Sequence, residues 1–421
     1  MWRFLFGTLF IITAAVISLI VGVVTILAVA IATTKPVLFV SAGALAYIIV
    51  FALTMKWFVG RAKSRIYFTV CAYSIGLLFF AAIAITLLKP LDIPQYHSDS
   101  LKKQYWDLPT GSSIAYVHLP GIGVKKPEPI IFLHGGPGTP DMEGDARYFN
   151  KLTEDGYDVY IYDELGTGHS MRLNDPRGYG IKRDVADLEA IRNKIGIDRM
   201  ILIGHSYGGE IAADYLVHYG QHVSKAVFSS PGPIDPSDHS DTQLIARLSN
   251  SERWKLYGHL MYPRSLMAYL LLQVNPLAAH TFAGDEEMDA EFDRIYAITE
   301  PALHAEGKHY DLPLHHLGFY ANQMPQSRMA APKPDLRVPL SAWDGPALIL
   351  KGSDDYLSWA SAMDYRNALR NSQLIYLEQA GHNEYQDQPE LVMNIIRSFL
   401  ADRPLPVSAY NEDTPPPTFQ R

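Results

Sequence analysis

Three long apolar runs open the chain. Residues 4–34, 36–55 and 66–88 contain no charged side chain, and the short segments between them carry Lys or Arg. A helix needs about 20 apolar residues to cross the hydrocarbon core of a bilayer, so each run is long enough to span one. A cleaved signal peptide is the alternative for the first run, but its apolar segment would be about 7–15 residues long. We therefore predict a three-helix transmembrane region over residues 1–90.

Beyond a polar linker at 91–104, the pattern is one of alternating strands and helices. Residues 184–195, for example, place Val185, Leu188 and Ile191 on one stripe at helical spacing. Such alternation favours an α/β fold, with a mostly parallel sheet and helices on both faces. An early hairpin is expected where the first strand follows a Pro-Thr-Gly turn. The predicted strands are 114–119, 129–133, 157–162, 200–203, 225–229, 347–350 and 373–377.

This alternation breaks over residues 231–340, where the pattern is helical and rich in aromatic side chains. Open α/β sheets bind ligands beyond the carboxyl ends of their strands, so we interpret the segment as an inserted helical cap over that edge. An ordinary helical extension of the core is the alternative. The core then has two parts, residues 105–230 and 341–400. Residues 401–421 are rich in proline and are predicted to form a disordered tail.

Charge is distributed unevenly along the chain. The whole sequence has 36 basic and 44 acidic residues, a net charge of −8, but its first 90 residues contain seven of the basic ones and no acid. The remaining 331 residues carry 29 basic and 44 acidic side chains, a net charge of −15. An acidic domain repels phosphate backbones, so nucleic acid is not an expected partner. The single cysteine, Cys71, excludes an intrachain disulfide and a cysteine-based zinc site.

The basic residues between the apolar runs predict an orientation in the membrane. The segment between the second and third runs contains four basic residues, Lys56, Arg61, Lys63 and Arg65. The segment between the first and second runs contains only Lys35. Because cytoplasmic loops collect Lys and Arg, the second loop and the N-terminus are predicted to be cytoplasmic. The sequence thus predicts a multi-pass cell-membrane protein, with the lipid bilayer as a partner and with its α/β domain outside the cytoplasm.

A candidate nucleophile lies in the segment Gly204-His205-Ser206-Tyr207-Gly208, which matches the pattern G-x-S-x-G. The segment follows a predicted strand and precedes a predicted helix, as a nucleophile elbow requires. In an elbow the serine stands on a tight turn, and the helix N-terminus favours developing negative charge. A glycine-rich turn with a bystander serine is the alternative. We predict that Ser206 is the nucleophile.

A second glycine-rich loop, His-Gly-Gly-Pro-Gly at 134–138, follows another predicted strand. Consecutive glycines let backbone N–H groups approach a ligand closely. In elbow-type sites two N–H groups stabilise the oxyanion, one from such a loop and one from the residue after the nucleophile. We assign these roles to Gly136 and Tyr207. His134 is interpreted as a hydrogen-bonding residue of the loop and not as a base.

A serine nucleophile needs a base, and the base needs an orienting acid. The expected order along the chain is serine, acid, histidine. His382 follows the last predicted strand, at the edge of the sheet where ligands bind, so we predict that it is the base. The loop after the preceding strand contains Asp354 and Asp355. Both cannot point at one imidazole; we favour Asp355, with Asp354 as the alternative and a turn or capping role for the other.

Together, segments 134–138, 162–170 and 204–209 resemble those of the α/β-hydrolase superfamily, and most of all the proline iminopeptidase-like (prolyl aminopeptidase) serine peptidases. The resemblance covers residues 105–400 and excludes the apolar N-terminal region. The family pattern D-Q-R-G-x-G-x-S is matched in part, with Glu164 and Leu165 where Gln and Arg are usual. The matching positions are Asp163, Gly166, Gly168 and Ser170.

The resemblance also implies that carboxylates of the cap hold the free amino terminus of a substrate. A dense acidic run at 285–293 supplies candidates, of which Glu286, Glu287 and Glu291 come first; Glu210, in the helix after the elbow, is another. The alternative is a solvated helix face.

The leading hypothesis is a membrane-anchored serine aminopeptidase that releases N-terminal residues such as proline from a peptide. The same triad would serve an esterase or lipase acting on a small acyl substrate. A binding or scaffold protein with a relic site is the third hypothesis. No metal site is expected, and the mechanism needs no cofactor.

Overall fold

The computed structural model of the protein describes residues 2–59, 65–96, 101–310 and 314–419. Arg61 and Lys63 of the predicted cytoplasmic loop lie outside the described residues. So do 97–100 of the linker, 311–313 of the cap and the last two residues of the chain.

The apolar N-terminal runs form three long helices, α1 (Trp2–Ala32), α2 (Pro36–Val59) and α3 (Arg65–Leu88). Each contains a stretch that is long and apolar enough to cross a membrane. Helices α1 and α2 approach closely at two glycines, where a Cβ on Gly43 would lie 2.7 Å from the Gly22 carbonyl oxygen. Many apolar side chains point outward, as Leu77 and Leu78 do with 67% and 70% exposure. Such a surface suits lipid better than water.

The globular part is built on a sheet that has eight strands within the described residues, in the order β1-β2-β4-β3-β5-β6-β7-β8. Strand β2 pairs antiparallel with β1 and β4, and all other neighbours are parallel. The predicted mostly parallel sheet is therefore confirmed, and its antiparallel edge begins with a hairpin. The strands are β1 (Gln104–Asp107), β2 (Ser113–Leu119), β3 (Ile130–Leu133), β4 (Val159–Tyr162), β5 (Met200–His205), β6 (Val223–Ser229), β7 (Ala347–Asp354) and β8 (Ser372–Gly381).

Helices cover both faces of this sheet. On one face α5 buries Leu188 and Ile191 of its predicted apolar stripe. On the other face α16 buries Val392 and Ile396. The helices of the core are α4 (Met142–Phe149), α5 (Ile181–Ile195), α6 (Tyr207–Tyr219), α14 (Trp359–Ala368), α15 (Glu384–Asp387) and α16 (Pro389–Leu400).

A helical segment is inserted between β6 and β7, where the alternation of the sequence breaks. It contacts the ends of the long apolar helices: Arg264 donates to the Leu87 carbonyl oxygen at 3.0 Å, and Asn275 to that of Ala30 at 2.8 Å. This cap therefore rests on the end of the three-helix bundle. Its helices are α7 (Leu244–Arg247), α8 (Asn250–Leu260), α9 (Pro263–Leu272), α10 (Pro276–Phe282), α11 (Asp285–Thr299), α12 (Phe319–Gln323) and α13 (Arg337–Leu340).

The C-terminal segment corrects the expectation of a disordered tail over 401–421. The Tyr410 N–H donates to the Leu374 carbonyl oxygen at 2.7 Å, and the Phe419 ring lies 5.4 Å from that of Trp359. The tail thus covers part of the exposed edge of β8, where unpaired backbone groups need partners. Its proline content limits regular structure but does not prevent packing.

Candidate active site

Ser206 stands on a strained turn between β5 and α6. Its φ of 52° and ψ of −116° form a combination that residues with a side chain rarely adopt. The flanking glycines make the turn possible. A Cβ on Gly204 would overlap the Gly208 carbonyl oxygen, and one on Gly208 would overlap that of Leu133. The G-x-S-x-G spacing is therefore a steric requirement, and the serine stands where the elbow hypothesis places it.

The glycine-rich loop after β3 packs directly against this elbow. A Cβ on Gly135 would lie 3.2 Å from the Ser206 Cβ. Gly136 has a φ of 130°, which glycine alone adopts readily. Tyr207 is the first residue of α6, and N–H groups in the first turn of a helix have no partner within it. Both candidate oxyanion residues line the same cavity as Ser206.

The candidate acid and the candidate base come from the ends of β7 and β8. The Nδ1 atom of His382 lies 2.8 Å from Asp355 Oδ1, and both side chains are buried. Asp354, by contrast, accepts a hydrogen bond from the Ser353 hydroxyl at 2.5 Å. The structure therefore brings together His382 and Asp355, the favoured one of the two adjacent carboxylates.

Ser206 and His382 line one cavity of about 1140 Å³, whose walls come from the loops of the core and from the cap. Among the described residues, the Ser206 hydroxyl hydrogen-bonds to none in this structure. The hydrogen bond between a nucleophile and its base often forms only when substrate binds, so its absence here is compatible with the pair.

A buried hydrogen-bond network lies behind the elbow. The Nδ1 of His205 lies 3.0 Å from Ser229 Oγ, and its Nε2 lies 3.2 Å from Asn383 Oδ1. Glu384 accepts hydrogen bonds from Ser229 and Ser230 at 2.5 and 2.8 Å. Burial lowers the pKa of His205 to about 3 and raises the pKa of Glu384 to about 8. The network thus links the nucleophile strand to the loop of the base while adding little charge near neutral pH.

Two buried ionisable residues of this region escaped the sequence analysis. Lys351, in β7, donates to Asp355 Oδ2 at 2.7 Å and is fully buried. Glu384 follows the base by two residues and is also fully buried. The signal for Lys351 was present, because a lysine directly follows the apolar run 347–350, four residues before Asp355.

The structure corrects the expectation that the acidic run of the cap holds a substrate. None of Glu286, Glu287 and Glu291 is among the described residues that line the cavity. Glu287 accepts from Arg264 and from the Leu91 N–H, and Glu286 is exposed. Glu291 accepts from a serine and contacts a histidine and an arginine; these partners are Ser265, His259 and Arg294.

The carboxylates that do line the cavity are Asp141, Asp145 and Glu210 from the core and Asp238 from the inserted segment. Glu210, the second candidate, forms an ion pair with Lys333 at 2.7 Å. Asp145 accepts from the Tyr385 hydroxyl at 3.0 Å and forms no ion pair within the described residues. Burial raises the pKa of Asp145 well above its ordinary value, and raises that of Asp141 as well. No group of three His, Cys, Asp or Glu side chains in the described part of the chain could hold a metal ion.

The two departures from the family pattern, Glu164 and Leu165, are buried away from the cavity lining. The Glu164 N–H donates to His134 Nε2 at 3.1 Å, while His134 Nδ1 lies 2.8 Å from the Gly135 carbonyl oxygen. His134 therefore hydrogen-bonds within the glycine-rich loop and to the loop after β4, as a structural residue and not as a base.

Comparison with known proteins agrees with this geometry. A family model described as alpha/beta hydrolase fold matches residues 128–257, which include the oxyanion loop and the elbow. The matched part of the chain has the α/β-hydrolase fold. Among curated relatives, the proline iminopeptidase of Saccharolobus solfataricus is 35% identical over 105 residues, 24% of this chain and 32% of the relative. The resemblance to proline iminopeptidase-like peptidases is confirmed for that segment, which spans about a third of the relative's length.

Solved structures similar to this chain include a proline iminopeptidase of Mycobacterium smegmatis, at 18% identity and a TM-score of 0.49, covering 72% of this chain and 98% of that one. They also include an esterase of Exiguobacterium antarcticum, at 19% identity and a TM-score of 0.48, covering 71% of this chain and all of that one.

Proposed function

We propose that the protein is a membrane-anchored serine hydrolase that acts through Ser206, His382 and Asp355. The observation that carries the proposal is the 2.8 Å contact between His382 and Asp355, in a cavity that also exposes a serine on a strained turn. A backbone strain of this kind costs on the order of 1–3 kcal/mol. A scaffold with a relic site would gain nothing by retaining it, and the strain therefore favours an active enzyme.

The mechanism follows from these positions. The Ser206 oxygen attacks the carbonyl carbon while His382 Nε2 takes its proton, and the N–H groups of Gly136 and Tyr207 stabilise the oxyanion. The imidazolium, held by Asp355, then gives its proton to the leaving amine or alcohol, which departs and leaves an acyl-enzyme. Water attacks the acyl carbon and loses a proton to the imidazole. The acid is released as Ser206 regains its proton.

For the substrate we favour a peptide with a free N-terminal residue such as proline. The similarity to proline iminopeptidases supports this choice. A revised amine site supports it as well: Asp145 is buried, lines the cavity and forms no ion pair within the described residues. A substrate ammonium would favour the ionised form of this carboxyl, whose pKa burial raises. A charge-assisted hydrogen bond is worth roughly 1.5–3 kcal/mol, or on the order of 10- to 150-fold in preference.

The substrate choice is tested with the full chain in detergent. We expect hydrolysis of a proline arylamide to fall at least about tenfold when its nitrogen is acetylated. Asp145→Asn should remove most of that gap and leave the hydrolysis of a short acyl ester nearly unchanged. Glu286→Gln, at an exposed cap position, is the matched control and should change neither rate. Equal rates on free and blocked substrates would exclude the aminopeptidase.

An esterase or lipase is the second candidate, and the lining of the cavity favours it. On the cap side the cavity is lined by apolar side chains, including Leu244, Ile245, Leu256 and Leu260. Glu210, the other acid near the elbow, is already paired with Lys333. An acyl chain would fit such a wall, and the blocked-substrate assay separates this candidate from the first.

Catalysis itself is tested by labelling with a fluorophosphonate probe. We expect the wild-type chain to be labelled, and Ser206→Ala to remain unlabelled and to lose several orders of magnitude in turnover. His382→Ala should lose about as much, and the double variant little more, because the residues act as a unit. Absence of labelling in the folded wild type would favour the relic site.

Membrane anchoring rests on α1, α2 and α3, whose apolar stretches are long enough to span a bilayer. The cap contacts the end of this bundle through Arg264, Asn275 and Thr281. In this arrangement the catalytic cavity would lie close to the membrane surface, on the extracytoplasmic side. Resistance of the chain to extraction by alkaline carbonate would support anchoring, and release would exclude it.

A further inference from the structure

Lys351 is a charged residue in the middle of the core. It lies in β7 and none of its surface is exposed to solvent. Its Nζ donates to Asp355 Oδ2 at 2.7 Å, to the Leu357 carbonyl oxygen at 3.1 Å and to Ser361 Oγ at 3.2 Å. Burying an ammonium is energetically unfavourable, and an apolar residue of similar size would often fill such a place more stably. The position of this charge therefore calls for a role beyond packing.

The two oxygens of the Asp355 carboxylate are divided between two partners, His382 and Lys351. Oδ1 faces His382 Nδ1 at 2.8 Å and accepts the Leu357 N–H at 3.0 Å. Oδ2 faces Lys351. The carboxylate cannot rotate away from the imidazole without losing the Lys351 contact. Lysine and histidine thus share one buried negative charge.

We propose that Lys351 is a positioning residue of the catalytic site, which orients the Asp355 carboxylate toward His382 and sets the pH range in which His382 acts as a base. The proposal rests on the proposed function of the triad. It assigns Lys351 no contact with substrate, because Lys351 is not among the residues that line the cavity.

The electrostatic reason is that an imidazolium is stabilised by the negative charge beside it. Lys351 neutralises part of that charge, so it weakens the stabilisation of the imidazolium by the carboxylate. The same contact keeps the acid ionised. Burial alone would raise the pKa of Asp355, but Lys351 and His382 outweigh it and hold the pKa below its ordinary value.

Most of the other titratable groups near this trio are engaged elsewhere. The His205 ring lies 5.0 Å from that of His382, but burial lowers the pKa of His205 to about 3, so it stays neutral. Glu384 is bound by two serine hydroxyls. The remaining neighbours are Tyr356, whose ring lies 4.6 Å from that of His382, and Asp354 and Asp238, which accept from Ser353 and Ser358.

Two substitutions separate orientation from charge. Lys351→Gln keeps a donor for Asp355 but removes the charge, whereas Lys351→Met removes both. We measure the pH dependence of kcat/KM for a neutral, soluble acyl ester, using the full chain in detergent and confirming folding by Tm. Both variants should move the acid limb of the profile upward by about one pH unit or more. Lys351→Met should also lower the plateau in kcat at least tenfold, with KM nearly unchanged.

Lys255→Met, at an exposed position on α8, is the control and should leave the profile in place. An unmoved acid limb in folded Lys351→Gln would overturn the proposal and leave Lys351 a purely structural residue. If Lys351→Met does not fold, the pH profile of Lys351→Gln alone still tests the proposal. Activity that remains in Ser206→Ala would contradict the proposed triad. If Ser206→Ala is inactive and the acid limb of Lys351→Gln is unmoved, only the inference on Lys351 fails.

Discussion

Asp354 and Asp355 are adjacent in the chain, yet their carboxylates serve different partners. Asp354 accepts from the neighbouring Ser353 hydroxyl at 2.5 Å, whereas Asp355 reaches His382 Nδ1 at 2.8 Å. The strand β7 ends between them, so the chain turns and sends the second side chain toward the base.

This difference predicts unequal effects of the same substitution. Asp355→Asn should lower kcat by about 10^4-fold, because an amide can no longer hold the imidazole in the required tautomer. Asp354 bonds the Ser353 hydroxyl and not the base. Asp354→Asn should therefore lower kcat by less than about tenfold. The measurement is kcat on a short acyl ester with each folded variant. The reverse order would make Asp354 the acid.

The choice between these two aspartates shows where sequence reasoning stops. The elbow at Ser206 is encoded locally, by glycines that the turn requires, and could be predicted from five residues. Sequence order placed both aspartates on the right loop, but which one faces His382 depends on where β7 ends. A strand boundary is set by pairing with β8, which is not visible in the loop itself.

The cap illustrates a second limit. The acidic run on α11 was chosen by composition, but the helix turns Glu287 toward Arg264 and the linker. Which face of a helix meets a cavity depends on partners far away in sequence. The same reason explains the tail, because its contact between Phe419 and Trp359 joins segments 60 residues apart.

A buried ion pair joins the cap to the loop of the base. His304 Nδ1 lies 2.6 Å from Asp387 Oδ1, and both side chains are fully buried. Asp387 also accepts the Gly381 N–H, next to His382, at 2.7 Å. Removing one partner of such a pair typically costs about 3–5 kcal/mol.

We therefore expect Asp387→Asn to lower the free energy of unfolding by a few kcal/mol and to reduce kcat, because the loop of the base is released. Thermal unfolding and kcat of the full chain in detergent measure both effects. Glu390→Gln, which loses only an exposed contact with Lys151, is the control and should change neither. Unchanged stability in Asp387→Asn would contradict a clamping role for the pair.

The buried carboxyl of Glu384 predicts a pH dependence of stability. Burial raises its pKa from 4.5 to about 8 in the folded chain, so the folded state retains a proton that the unfolded state releases. The resulting contribution to stability is fully present below about pH 4.5 and is lost as the pH rises through 8. Glu384→Gln cannot ionise and should lack this loss.

The comparison of Tm between pH 5 and 9 tests this expectation. The wild type should lose stability relative to Glu384→Gln as the pH rises, and the two curves should diverge most toward the alkaline end. Glu378→Gln, at an exposed position of β8, should follow the wild type. Parallel curves for wild type and Glu384→Gln would mean that the buried carboxyl is already ionised at low pH.

The orientation of the chain in the membrane gives the last prediction. Four basic residues lie between the second and third apolar runs, against one between the first and second. Because Lys and Arg favour cytoplasmic loops, a reporter that is active only outside the cytoplasm should be active when fused after Gln104 and silent when fused after Lys63. Replacing Arg61, Lys63 and Arg65 by neutral residues should loosen this orientation and produce partial activity at both positions.

Neutralising Lys102 and Lys103, beyond the third helix, is the control: these charges oppose the predicted orientation, so their removal should leave it unchanged or strengthen it. Activity after Lys63 and silence after Gln104 would place the catalytic cavity in the cytoplasm, with the triad chemistry unaffected.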